Sequence, residues 1–430
     1  MLYTWAHTRP GSGHHRAGRT TVRHIVMISQ IPLWSMGRSV GGPAFEQTVL
    51  GLSRHFRISL VQPRVEHVDT SDLPDNVTLH PFEHRFHGLW RQVRKLGWIT
   101  DTLGWYSFAS SAWPIVRELC DGGDVDLVYG YEIYGAPVAR RAATAFALPM
   151  VSRFQGTLMS ERRHMPFSRI RFHKHVAGLS TPADLVIMTN DGTLGRDYLL
   201  SLGHPAERIR FWMNGVDPSI ACVPFNDARP ALGVPADAPM LLTVSRLSGW
   251  KRVDRAIRAV GELSRRGVDT YLAIAGVGPD EGRLRALADE RGVAERTRFA
   301  GAVPRHELAS LYRSADLLLS LYDYSNLGNP VIEAMMLGLP VLALDVGGTG
   351  DLVKDGVNGV LVPDADDAAL LADRIGALLV NRPALRESGA RAAAWARENL
   401  WSWDERVQAE ADALGALIEA HSASQARRQA

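Results

Sequence analysis

Two short segments carry residue types that could handle a diphosphate and a sugar. The first is Ser245-Arg246-Leu247-Ser248-Gly249-Trp250-Lys251, which follows an apolar run and precedes a helical pattern. Arg246 and Lys251 put two cations at the carboxyl end of a buried strand, where a guanidinium fork and an ammonium point charge suit phosphate oxygens. A solvated basic loop has the same composition. The second segment is Tyr324-Ser325-Asn326-Leu327-Gly328-Asn329-Pro330-Val331-Ile332-Glu333-Ala334-Met335. It lies between a strand ending at Leu321 and a helix that Pro330 opens, proline being at home in a first helical turn. Backbone N–H groups of Gly328 and its neighbours Ser325, Asn326, Leu327 and Asn329 could point at an anion. Glu333 stands one turn into an otherwise apolar helix, where an ionised carboxylate can accept both hydroxyls of a sugar diol. The helix dipole alone would also favour a Glu there, by about 0.3–1 kcal/mol.

Other glycine turns follow strands: Gly276-Val277-Gly278, Gly347-Gly348-Thr349-Gly350-Asp351, and Gly41-Gly42 before the first helix. Each could bring backbone close to a ligand or simply supply a tight turn. Arg153-Phe154-Gln155-Gly156-Thr157 ends another strand. Two basic, aromatic stretches stand apart from these: Trp90 to Trp98 with Arg91, Arg94 and Lys95, and a second with Arg162, Arg163, Arg169, Arg171, Lys174, His164, His173 and His175. Cations beside Trp suit an anionic membrane surface, at about 1 kcal/mol each, or an anionic acceptor; a solvated helix face is the plainer reading. The histidines lack two-His ligand spacing with an acid nearby. Neither a Gly-x-Ser-x-Gly elbow nor an NTPase phosphate loop is present, and the first glycine loop lacks the G-x-G-x-x-G spacing of a nicotinamide dehydrogenase.

The elements that must position these residues alternate along the chain. Strands are expected at 24–28, 58–61, 127–129, 150–153, 184–188 and 209–211, with helices at 44–54, 136–146 and 193–202. Residues 214–239, rich in Pro, Asp, Ala and Asn, read as a linker. A second series starts at 240–244 and runs through strands at 271–275, 298–299, 317–321, 340–344 and 360–362. Its helices fall at 252–266, 281–291, 306–313, 330–337, 367–379 and 383–398. Short apolar runs alternating with helices predict an α/β chain with two doubly wound parallel-sheet domains. The expected division is a mobile basic tail at 1–23, an N-terminal domain at 24–215, a second domain at 216–404, and a C-terminal helix at 405–430 folding back on the first domain. Ligands of such sheets bind beyond the carboxyl ends of the strands, so the site belongs in the cleft between the domains.

Composition narrows the class. The 430 residues hold 48 Lys and Arg against 46 Asp and Glu, a formal charge of +2, which argues against a dedicated nucleic-acid binder. Two cysteines, Cys120 and Cys222, make no disulfide framework and suit a reducing cytosol. No apolar run approaches the roughly 20 residues of a membrane span.

From about His24 to Trp403 the chain resembles the retaining, nucleotide-sugar-dependent glycosyltransferases of family four, which have the GT-B fold of two Rossmann-like domains. The resemblance is most specific from Leu241 to Leu361. Val244-Ser245-Arg246-Leu247 through Lys251-Arg252-Val253-Asp254 matches the family's diphosphate-contacting segment, with Ser245 in place of Gly. Asn214 to Asp217 matches Asn-Gly-Val-Asp, and Ala275 to Pro279 matches Ala-Gly-x-Gly-Pro. Glu333 matches the second glutamate of a two-glutamate motif, the ribose-binding one. Ser325 replaces the first, which contacts the donor sugar, and Gln155-Gly156 replaces a first-domain His-Gly. Asp351 replaces a later Glu, and Gly41-Gly42 resembles the loop nearest the reaction centre.

The resemblance implies retaining transfer of a sugar from a nucleotide-diphosphate donor to a glycan or lipid-linked acceptor in polysaccharide or glycoconjugate synthesis. Arg246, Lys251 and Glu333 carry the catalytic roles, and Gly41, Gly42, Gln155, Gly278, Ser325, Asn326, Leu327, Gly328 and Asn329 contact the donor. No metal or other cofactor is expected, because the cations and a helix N-terminus take the leaving-group charge. The expected location is cytoplasmic, peripheral on an anionic membrane face. Two alternatives stay open: a nucleotide-sugar epimerase or hydrolase of the same fold, and a non-catalytic donor-binding partner.

Overall fold

The computed structural model describes residues 22–33, 43–64, 73–84 and 97–429. Gly41, Gly42 and the stretch from Trp90 to Leu96 lie outside them. The first sheet has seven strands: β1 (His24–Ser29), β2 (Arg57–Pro63), β3 (Val77–Phe82), β4 (Leu127–Tyr131), β5 (Met150–Phe154), β6 (Leu185–Thr189) and β7 (Ile209–Trp212). All pair in parallel, in the order β3-β2-β1-β4-β5-β6-β7. The second has six: β8 (Met240–Val244), β9 (Tyr271–Ala275), β10 (Thr297–Gly301), β11 (Leu317–Ser320), β12 (Val341–Leu344) and β13 (Val360–Val362). Their order is β10-β9-β8-β11-β12-β13, again all parallel. Counted from its own first strand, each sheet reverses direction after the same position. That reversal opens a crevice at its carboxyl edge.

The central strands are apolar because helices cover both faces. Every residue of β1, β4, β5 and β6 is buried. The helix Val253–Arg265 shows how the layers close: Val253, Ile257, Val260 and Leu263 are buried against the second sheet. Two elements lack a clear sequence pattern. β3 is an edge strand buried only at its end residues Val77 and Phe82, and it carries Pro81, tolerable only where no inner ladder bond is lost. The helix Gly97–Asp121 includes Pro114, which breaks the propensity signal that tertiary packing then overrides.

The last helix, Trp403–Gln429, begins two residues before the expected boundary. It lies on the first domain, where Val407, Ala411, Leu414 and Ile418 join the core formed by Phe45, Val49 and Ile58. Gly51 is needed there, since a Cβ would collide with Val407. Arg23, at the end of the sequence-defined tail, donates to Gly415 O at 3.2 Å and pairs with Glu419. The chain therefore crosses between domains twice, and the crossings touch: Val216 donates to Trp401 O and Trp403 to Val216 O, each at 2.9 Å.

Candidate active site

The Arg246–Lys251 loop is built by close packing at the edge of the second sheet. Leu247 is fully buried and pins the loop to the core. Its N–H donates to Val277 O at 3.0 Å, and Ser245 N–H to Ala275 O at 3.0 Å. Gly278 is required because a Cβ would strike the Leu247 backbone. Its role in the fold is to support the loop from below. Arg252 closes the turn in the left-handed region, at φ 46°. Such a conformation costs a non-glycine residue about 1 kcal/mol or more. Ion pairs to Asp254 at 3.2 Å, Asp323 at 3.0 Å and Asp366 at 2.5 Å hold it there.

This turn delivers Lys251 into an aromatic box. Its Nζ lies 3.8 Å from the Tyr322 ring centroid and 4.0 Å from that of Trp250. Tyr324 stacks beyond Trp250 at 6.1 Å. Burial, and then the charge of Arg246, lower the Lys251 pKa to about 8, with Asp191 opposing. Arg246 itself is exposed.

The 324–335 segment divides its residues between scaffold and site. Asn326 is fully buried and commits its whole amide to the loop. Its Oδ1 accepts Ser320 Oγ at 2.8 Å and Tyr322 N–H at 3.0 Å, and its Nδ2 donates to Leu344 O at 3.0 Å. Of Asn326, expected among the donor-contacting residues, no side-chain amide group is left facing the cleft. Leu327 likewise buries its side chain in the core. Ser325 bridges the domains, donating through Oγ to Asp191 O while accepting Leu327 N–H at 3.1 Å. Gly328 caps the helix Asn329–Met336, with Pro330 in the first turn and Asn329 exposed. Glu333 is half-buried and accepts Tyr312 Oη at 3.0 Å.

The first domain supplies three facing groups. Gln155 follows β5; its Nε2 donates to Tyr131 Oη at 2.6 Å and its backbone N–H to Glu132 Oε1 at 2.7 Å. Glu132 sits at φ 61°, immediately past β4. Burial raises its pKa to about 7; the Gln155 hydrogen bond and Arg153 oppose the shift, and Asp191 adds to it. Asp191, two residues past β6, is raised to about 6 by burial, against hydrogen bonds from Thr193 and the charge of Lys251. Gly156, at φ 112°, leaves the space that Asp191 fills.

Sequence reasoning missed Glu132 and Asp191. Both are among the first polar residues past the carboxyl edge of a central strand, and that position was the available signal. A carboxyl with a raised folded pKa is protonated more readily folded than unfolded, so it lowers stability as pH rises from its unfolded value through the folded one. Glu132→Gln is therefore expected to raise the melting temperature at pH 8 and to lose that advantage near pH 4.5, a comparison that calorimetric scans at both pH values would make.

Walls from both domains enclose a cavity of about 380 Å³, lined by Glu132, Gln155, Gly156, Asp191, Thr193, Arg162, Phe172 and His175 on one side and Trp250, Lys251, Tyr322, Tyr324, Ser325 and Gly328 on the other. Arg246 and Glu333 lie outside this wall. Beside the cavity the domains touch: Gly348 N–H donates to Gly192 O at 2.7 Å, and Asn190 Nδ2 to Asp351 Oδ2 at 3.3 Å. Among the described residues no group of three or more His, Cys, Asp or Glu is placed to hold a metal ion.

Two Rossmann-like parallel sheets meeting edge to edge across a cationic, aromatic cleft define a protein of the GT-B class. Residues 224–395 match the family model described as glycosyl transferases group 1. The chain is 30% identical over 381 residues to a D-inositol 3-phosphate glycosyltransferase of Xylanimonas cellulosilytica, covering 85% of this chain and 81% of the relative. It is 38% identical over 182 residues to the enzyme of the same name from Nocardia farcinica, spanning 41% of this chain and 40% of that one. It is 34% identical over 194 residues to a GDP-mannose-dependent alpha-(1-6)-phosphatidylinositol monomannoside mannosyltransferase of Mycolicibacterium smegmatis, spanning 44% and 50%. In the latter two comparisons, the chain thus spans half or less of the relative's length. Anabaena Alr3699/HepE, crystallised with UDP and glucose, superposes with a TM-score of 0.69 at 20% identity, over 92% of this chain and 100% of that one. The chain belongs to the group 1 glycosyltransferases.

Proposed function

We propose that this protein is a retaining glycosyltransferase that moves a sugar from a nucleotide-diphosphate donor to a glycan or lipid-linked acceptor without a metal ion. The observation that carries this reading is Lys251, a desolvated cation held in the cavity between the two carboxyl edges. When the bond from the sugar anomeric carbon to the diphosphate oxygen breaks, negative charge grows on the diphosphate. Lys251, Arg246 and the helix N-terminus at Gly328 stabilise it. The acceptor oxygen bonds to the anomeric carbon on the face the diphosphate leaves, and its proton passes to a diphosphate oxygen. Glu333 holds the ribose diol. Retention is checked by the anomeric configuration of the product, and metal independence by full turnover in excess chelator.

The test of the donor site is a thermal-shift series against nucleotide diphosphates with chelator present, since a ligand of the folded state raises apparent stability. One diphosphate should raise the melting temperature, and both Glu333→Ala and Glu333→Gln should weaken that response. The Gln variant keeps an acceptor for Tyr312, which separates lost binding from lost folding. No shift with any nucleotide would overturn the reading.

The acceptor side favours a membrane-borne substrate. The short helices Met159–Arg162 and His173–Leu179 contribute Met159, Arg162, His175 and Leu179 to the cavity wall, and the short helix Ser168–Arg171 lies between them in the chain. Phe167, which precedes that helix, is 80% exposed and Ile170 within it 72%, with exposed Arg163, Arg169 and Arg171 near them in the sequence. Phe167 is held at φ 57°, an unfavourable conformation for an aromatic residue. Phe167→Ser with Ile170→Ser is expected to weaken co-sedimentation with phosphatidylglycerol vesicles about tenfold or more, since burying each side chain is worth about 1.5–3 kcal/mol. Turnover on a water-soluble acceptor should be unchanged. Equal vesicle binding would remove the membrane from the proposal.

A further inference from the structure

A second cavity, of about 390 Å³, opens at the opposite end of the second sheet. Ala315 and Asp316 before β11, and Leu339 and Pro340 before β12, form its floor, so it lies at the amino edges of the strands, away from the cleft. Its charged walls are Arg229, Arg313, Arg382, Arg386, Asp227 and Asp316.

The cations exceed the acids, and the hydrogen-bond pattern leaves part of that excess unanswered. Asp316 Oδ2 already accepts from Arg229 at 2.9 Å, Arg382 at 3.0 Å and Met240 N–H at 2.9 Å. Arg313 donates to the carbonyls of Ala221 and Val223, which satisfy its N–H groups without neutralising its charge. Arg386 is exposed and has no ion pair or hydrogen bond among the described residues. The buried Nε of Arg382 has no partner. The other two nitrogens of that guanidinium donate to Asp237 O and Asp316 Oδ2, each at 3.0 Å. The helix Arg382–Asn399 starts at this wall and adds the positive end of its dipole.

A clasp on the 224–239 segment explains Arg229, Arg313 and their partners. It leaves unexplained the free guanidinium of Arg386, on the same cavity wall as the un-neutralised charge of Arg313. We infer that this cavity binds a small phosphate ester, with Arg386 as its principal phosphate contact. The volume exceeds what a bare anion needs, and Phe225, 57% exposed at the wall, offers an apolar surface to the carbon skeleton.

Isothermal titration of the full chain with glucose 6-phosphate and with inorganic phosphate tests this. Glucose 6-phosphate should bind the wild type and bind Lys251→Ala equally, because the cleft is not involved. Arg386→Glu, a solvent-exposed change, should weaken it about tenfold or more, as loss of a charge-assisted hydrogen bond does, with an unchanged melting temperature. Unchanged affinity in Arg386→Glu, loss of binding in Lys251→Ala, binding of inorganic phosphate alone, or no binding of either probe at millimolar concentration would each overturn the assignment.

Discussion

Replacing Lys251 with alanine is expected to lower turnover about 10²–10³-fold, the usual cost of one preorganised group at a charge-developing atom. The magnitude follows from where the ammonium sits. Tyr322 and Trp250 hold it within 4.0 Å of their ring centroids, and burial removes the water that would otherwise screen it. Arg246→Ala should also lose most turnover, through the other half of the diphosphate clamp. The pH dependence has a definite sign. Only protonated Lys251 attracts the diphosphate, and in the free protein its pKa is about 8, so donor affinity should fall as pH rises beyond that value. Lys251→Arg should remove this alkaline limb, because a guanidinium stays charged, while losing rate through its different shape. Steady-state kinetics across that pH range would read both effects; near-wild-type turnover in Lys251→Ala and Arg246→Ala would dismiss the clamp.

The legible parts of the molecule were those set by local pattern. β1, β4, β6 and β8 are largely apolar runs because both faces are covered, and such runs stand out in a sequence. β3 did not stand out, because this edge strand buries only Val77 and Phe82 and tolerates Pro81 between them. At the site, Lys251 was visible from its spacing to Arg246 and its place after a strand. Asn326 illustrates the limit of spacing. A polar residue in a glycine-bearing loop can face a ligand or brace the loop, and only the three-dimensional arrangement shows Ser320, Tyr322 and Leu344 taking its amide. Glu132 was hidden for another reason. Its significance lies in a left-handed backbone and a carboxyl crowded by Gln155, neither of which leaves a mark in composition or period.

The second large effect is expected far from the cleft, at Glu410. This residue of the last helix is fully buried between Arg153 of β5 and Arg406, each 1% exposed. Glu410 Oε2 accepts from Arg153 at 2.8 Å and Arg406 at 2.9 Å, and its Oε1 accepts Tyr129 Oη at 2.5 Å. Burial alone would raise the Glu410 carboxyl, but the two guanidiniums outweigh it and hold the pKa below its ordinary value. Its stabilising contribution is thus present above the unfolded carboxylate range and is lost as pH falls through the folded pKa. Glu410→Ala leaves two buried guanidiniums facing each other, at a cost of about 3–5 kcal/mol. Adding Arg406→Met to that variant should recover part of the loss, since it removes one uncompensated charge; a double-mutant cycle by thermal denaturation measures the coupling. The damage should reach the cavity, because Arg153 lies 5.8 Å from the Tyr131 ring and Tyr131 Oη receives Gln155. It also follows that the first domain is not encoded by its own segment alone. Residues 22–215 without the last helix lack Val407, Ala411, Leu414 and Ile418 from one core and lack the Glu410 carboxylate paired with Arg153, so that fragment should fail to fold cooperatively until a peptide spanning 403–429 is supplied.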